Sequence, residues 1–176
     1  FRRTVVGPGS TLPDGPSGMA FGNGNDLFVT SINDGSVLKY DWKTGAPAAA
    51  PFAAGLYGPS GVLFDKAANS LYVSEFGNFD GHTVVRFDAA SGAETGRFTA
   101  AAGGGYSDMA IGPDGMLYVS NFYYGQVLKF DPTNPATPPV VFAGNAALQG
   151  SNGLLFNASG KLDVAGERVA PILISI

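Results

Sequence analysis

His82 is the one histidine in 176 residues, and cysteine is absent. Zinc sites draw on several nitrogen or sulfur ligands, so a single chain of this composition falls short of that set. Oxygen chemistry stays open, because calcium accepts carboxylates, carbonyls and amides. Glu75, Asn78 and Asp80 are the best local candidate group of such donors, although Asp80-Gly81 is also an ordinary turn-forming pair. His82 would serve as an acid/base only in an enzyme, and no paired acid stands beside it to tune it. Otherwise it is a surface loop residue. Serines are plentiful, but no nucleophile elbow surrounds any of them. Gly103-Gly104-Gly105 leads into a strand-like run rather than a helix, so it is no phosphate loop.

What must position these residues is a pattern that occurs four times. GPSGMAF (15–21), GPSGVLF (58–64), GYSDMAI (105–111) and GSNGLLF (150–156) open the copies, and LFVTS, LYVSE, LYVSN and LDVAG follow. Three copies then reach SVLKYD, TVVRFD and QVLKFD, with PILISI (171–176) as a looser fourth. The leading Leu of the second segment recurs at Leu27, Leu71, Leu117 and Leu162, which are intervals of 44, 46 and 45. A period in the forties built of short strands and turns predicts the blades of an all-β propeller.

One copy shows how a blade is made. Gly61 to Phe64 is an apolar inner strand, and Leu71 to Ser74 is a second strand rich in aromatic and β-branched residues. Thr83 to Asp88 alternates Val85 and Phe87 on one face with Val84 and Arg86 on the other. Gly96 to Ala100 forms the outer strand. Asp41 and Asp88 close their strands with Ser or Thr and Gly shortly after, residues that bond or relax turn backbone.

The repeats divide the single domain 1–176 at about 15–57, 58–104, 105–149 and 150–176. Residues 1–6 read as an outer strand and the last repeat as three inner ones. The expectation is therefore four four-stranded blades closed by pairing Thr4-Val5-Val6 with the strand containing Ile172-Leu173-Ile174, which removes two open sheet edges. The competing expectation is an excerpt of a longer propeller.

In such a fold the loops entering the inner strands and those leaving the second strands share one face. That face gathers Ser17, Ser60, Ser107, Asp108 and Asn152 from the first set. The second set supplies Asn33, Asp34, Asn78, Asp80, His82, Asn121, Tyr123, Tyr124 and Glu167. Phe76, Phe79, Phe122, Tyr123 and Tyr124 offer a contact surface for a protein, glycan or small molecule, or simply cover the blade tops.

The P-S-G-hydrophobic-A-F, G-x-L-Y-V-S-[NE] and V-[LV]-[KR]-[FY]-D segments resemble NHL-type repeats of bacterial secreted proteins, over roughly residues 15–165. More distantly the chain resembles the gluconolactonase/senescence-marker and streptogramin lyase propellers. That resemblance implies a divalent metal near the axis. Ser151-Asn152-Gly153 matches an Asn-bearing metal motif of the gluconolactonase group, while Asp108 sits one place out of register and the acidic ligand near the start has no counterpart. Two functions follow. One is a non-catalytic binding or structural propeller with no certain cofactor. The other is a lactonase or lyase using calcium or another divalent metal, with Asn152 and Asp108 as ligands and His82 as acid/base.

Composition narrows the partners. Net charge is −4 and the ten basic residues are scattered, which offers nothing to neutralise a run of phosphates and so disfavours nucleic acid. No stretch approaches the roughly 20 apolar residues of a membrane-spanning helix. Low charge, with Ala, Gly, Thr and Asn abundant, leads us to expect an extracellular or periplasmic bacterial protein. Phe1 where an initiator Met would stand fits either a removed leader or an excised piece. Homo-oligomerisation stays open.

Overall fold

The computed structural model describes residues 13–77, 82–100, 103–167 and 169–174, with the backbone alone for 169–174. Among these residues there are fifteen strands, one 3-10 turn at Ala146–Leu148 and no α-helix. The strands form four antiparallel sheets, each running outward in chain order, so the molecule is a β-propeller with one sheet per repeat. The first blade is β1 (Pro16–Phe21), β2 (Asp26–Ser31), β3 (Ser36–Asp41) and the short β4 (Ala53–Ala54). The second is β5 (Pro59–Asp65), β6 (Ser70–Glu75), β7 (Thr83–Asp88) and β8 (Glu94–Thr99). The third is β9 (Tyr106–Ile111), β10 (Leu117–Asn121), β11 (Gln126–Phe130) and β12 (Val140–Gly144). The fourth contributes β13 (Ser151–Phe156), β14 (Leu162–Gly166) and β15 (Val169–Ile174).

The Asp at each β3-type strand end acts as its spacing predicts. Asp41 Oδ1 accepts the N–H groups of Lys43 and Thr44 at 2.9 and 2.8 Å. Asp88 Oδ1 takes Ser91 N–H and its hydroxyl, and Asp131 Oδ1 takes both groups of Thr133. Bonds to the ionised form favour it. The Thr44 N–H, the Ser91 hydroxyl and the Thr133 hydroxyl respectively do most to hold these carboxyls below the usual carboxylate range.

A blade is one sheet and buries its faces only against its neighbours. Three apolar seams result. Phe28, Val37 and Phe52 of the first blade meet Val62, Val73 and Phe87 of the second. Tyr72, Val84 and Phe98 meet Met109, Val119 and Phe130. Ala110, Tyr118 and Val127 meet Leu154, Leu162 and Val164. Period-two alternation explains this division of labour: along the second strand, Leu71 and Val73 face back towards the first blade while Tyr72 faces on towards the third.

A hydroxyl clasp supplements each seam. Every inner strand carries a β-bulge at its start, where pairing with the second strand skips a residue. The bulged N–H would be orphaned. In the second blade Ser74 Oγ accepts it from Gly61 at 2.8 Å and donates to Ser107 O of the next blade at 2.6 Å. Thr30 does the same between Gly18 N–H and Ser60 O, both at 2.7 Å. Ser120 takes Asp108 N–H at 2.9 Å and reaches the fourth blade through the Ser107 hydroxyl, which donates to Ser151 O at 2.7 Å.

The outermost faces depart from this scheme. The inner strands pack in series, β1 on β5, β5 on β9 and β9 on β13, and no comparable packing joins β13 to β1 among the described residues. Met19 and Phe21 are 72% and 67% exposed, whereas Met109, the repeat equivalent of Met19, is 4% exposed. On the far face of the fourth blade Leu155 is exposed. There Asp163 stands where the other blades bury Phe28, Tyr72 and Tyr118, and Ala165 stands in place of the clasp hydroxyl. The strand expected to close the ring, residues 1–6, lies outside the described residues.

Candidate functional site

The bulges have a second effect: they turn the residue at the start of each inner strand away from its ladder. Those residues converge. Ser17, Ser60, Ser107 and Asn152, the same repeat position four times over, line one cavity of about 490 Å³ with Asp108. The residue after each second strand completes the wall with Ile32, Phe76, Phe122 and Glu167. The first loop set expected from sequence thus gathers at this cavity, and Glu167 of the second set joins it. That volume lies within the range of small-molecule sites.

The polar groups of the cavity are unequally committed. Ser107 is buried and its hydroxyl is held by Ser120 and Ser151 O, so it serves the seam. Ser17 and Ser60 hydroxyls lie 3.3 Å apart at the exposed rim. Asn152 is exposed, and its side chain makes no hydrogen bond among the described residues. Asp108 is half-buried; its Oδ2 accepts Leu154 N–H of the fourth blade at 2.8 Å. Burial pushes its carboxyl above the usual carboxylate range, and the bonds from Leu154 and Met109 N–H only partly offset that. Being out of register thus has a structural use: the bulge sends this carboxylate across a seam.

A raised folded-state pKa means that the native state holds a proton the unfolded chain has released. The stabilisation is therefore full below the ordinary carboxylate pKa and is lost as pH rises through the folded value. Asp108→Asn keeps an acceptor for Leu154 N–H without the buried charge. It should match wild type in acid and become the more stable of the two towards neutral pH. Asp108→Ala should cost about 1–3 kcal/mol by stranding that N–H. Urea titrations at several pH values would show both, and an Asn variant less stable at neutral pH would refute the argument.

The remaining sequence candidates fall elsewhere. Glu75 is 4% exposed and serves its own blade: Oε1 accepts Tyr57 N–H at 2.9 Å and Oε2 lies 3.5 Å from Arg97. Asn78, Phe79 and Asp80, and with them two of the three members of the expected calcium group, lie outside the described residues. His82 is half-buried, does not line the cavity, and sets its ring edge-on to Tyr106 at 6.3 Å. Its Nδ1 is buried without a hydrogen-bond partner among the described residues. Phe76, Phe122 and Tyr123 form a mutual aromatic cluster with centroids 5.3–5.4 Å apart that covers the blade tops, and Phe76 and Phe122 also wall the cavity. Tyr124 is 55% exposed beyond them. What sequence reasoning missed is the hydroxyl series Thr30, Ser74 and Ser120. Its recurrence was visible, but each residue read as plain strand interior.

The sequence matches no known protein-family profile and no curated protein. Solved structures do match. A gluconolactonase from Xanthomonas campestris superposes with a TM-score of 0.71 at 17% identity, over 93% of this chain and 58% of that one. The PQQ-bound aldose sugar dehydrogenase of Streptomyces coelicolor gives 0.68 at 21% identity, over 99% and 62%. A streptogramin B lyase gives 0.69 at 9% identity, over 94% and 56%. At such identities the likeness is one of fold, that of the β-propeller. The chain spans a little under two thirds of the length of each.

Proposed function

We propose that this chain is a non-catalytic binding module that holds its ligand in the cavity on its loop-rich face. One observation carries the reading: all four repeats aim the same position into one cavity of about 490 Å³. Its most reactive groups are meanwhile engaged in holding blades together, Asp108 on Leu154 N–H and Ser107 on Ser151 O. Asn152 and the Ser17–Ser60 pair remain to face a ligand. The low charge of the chain suits an extracytoplasmic setting.

Screening small molecules and glycans by thermal shift and calorimetry tests this. Saturable binding should appear, and Asn152→Ala should weaken it about tenfold, ~1.4 kcal/mol, without moving the melting temperature of the free protein. Turnover of lactones or esters that disappears in Asn152→Ala would overturn it.

The second reading is a divalent-metal-dependent lactonase or lyase, favoured because Asp108 and Asn152 bound the same cavity. As donors they fit poorly. Asp108 spends one oxygen on Leu154, and among the described residues no three His, Cys, Asp or Glu side chains converge to hold an ion. If this reading holds, calcium, zinc or manganese should raise the melting temperature, since a ligand of the native state stabilises it, and Asp108→Asn should abolish the rise.

A further inference from the structure

The geometry points to a neutral oligosaccharide, lying across the face in a groove of which the central cavity is the middle, as the ligand of this module; this rests on the binding reading above. The cavity is not isolated. Ile32 and Phe76 also bound a second cavity of about 350 Å³, which reaches Asn33 and Tyr57 above the first seam. Phe122 also bounds a third of about 200 Å³, which reaches Tyr123 and Gln149 above the last seam. Three adjoining cavities in this order accommodate an extended ligand rather than one compact molecule.

The chemistry along the groove is consistent from end to end. Tyr57 and Tyr123 are 51% and 38% exposed at the two arms, and rigid rings with a polar tip offer flat apolar surface beside a hydrogen-bonding group. Amides alternate with them: Asn33, then Asn152, then Gln149. Sugar rings present the same alternation, C–H faces between hydroxyls that both donate and accept. Among the described residues no Lys, Arg or His lines any of the three cavities, while Asp108 and Glu167 line the middle one. An anionic chain would meet these carboxylates with no compensating cation among the described residues. A peptide added as a strand would need an open sheet edge, and the groove crosses the beginnings of the inner strands instead.

Calorimetry with cellohexaose, maltohexaose, xylohexaose and chitohexaose, their monosaccharides, and hexagalacturonate as the anionic control tests the proposal. At least one neutral hexasaccharide should bind about tenfold or more tighter than its monosaccharide. Tyr57→Ala and Tyr123→Ala, at opposite arms, should each weaken it severalfold with an unchanged circular dichroism spectrum, and Tyr57→Phe should restore most of the loss. Equal affinity for monosaccharide and hexasaccharide, or for hexagalacturonate, would overturn the groove. If no glycan binds but a small molecule, ion or peptide does so with sensitivity to Asn152→Ala, the oligosaccharide inference fails and the binding module stands. If nothing binds the face, both fail.

Discussion

Gly61→Ala is expected to lower the melting temperature by about 6–12 °C, from a loss of ~3 kcal/mol in a chain of this size. A Cβ there would sit 2.2 Å from Ser107 O and 3.2 Å from Asp108 Cα, both backbone atoms of the next blade. Neither can retreat cheaply, because Ser107 O also accepts the Ser74 hydroxyl at 2.6 Å. Gly115→Ala is the control. Its φ of +76° strains any side chain, yet no atom lies within 4 Å, so the cost should stay at the roughly 1–2 kcal/mol of left-handed backbone. Thermal unfolding of the two variants side by side decides the matter; equal losses would mean that the blades do not approach as closely as described.

Phe98→Ala should be at least as damaging, about 3–5 kcal/mol. The ring is fully buried, 6.0 Å from Tyr72 in its own blade and 6.1 Å from Phe130 in the next. The Arg86 guanidinium lies 5.7 Å over it while donating to Pro132 O across the same seam. Truncation leaves a void lined from two blades and loosens the arginine as well. Phe98→Leu, which keeps much of the volume, should lose markedly less. Guanidinium denaturation with a loss below 1 kcal/mol for the alanine variant would show that this seam can collapse around the hole.

The repeat was legible because it is local: strands, turns and the Asp turn caps each lie within a few consecutive residues, and Leu27, Leu71, Leu117 and Leu162 mark the period. The convergence of Ser17, Ser60, Ser107 and Asn152 followed from the repeat as well. The rest depends on contacts between residues 18 to 46 apart. Thr30 and Ser74 are unremarkable in sequence, and their use emerges only where a neighbouring carbonyl arrives. Asp108 departed from the expected register, and only the bulge shows that the shift aims it at Leu154. Glu75 reads in sequence as a metal donor, and its bonds to Tyr57 N–H and Arg97 show only once the chain has folded. Closure by residues 1–6 was an argument from complementary ends, and the described strands leave β1 and β13 without the packing that joins every other inner pair.

The substitutions in the fourth blade bear on how copies of this protein meet. Were its outer face like that of the first three, a copy could seat it on the exposed Met19 and Phe21 of another copy, and head-to-tail stacking of that kind runs on into filaments when it does not close. Asp163, held by the Asn157 amide at 3.3 Å to both oxygens, would have to surrender its hydration to enter such a joint. Ala165 has no hydroxyl to offer the incoming backbone. On that face the fourth repeat, unlike the first three, meets an incoming blade with a carboxylate in place of a buried ring and with no clasp.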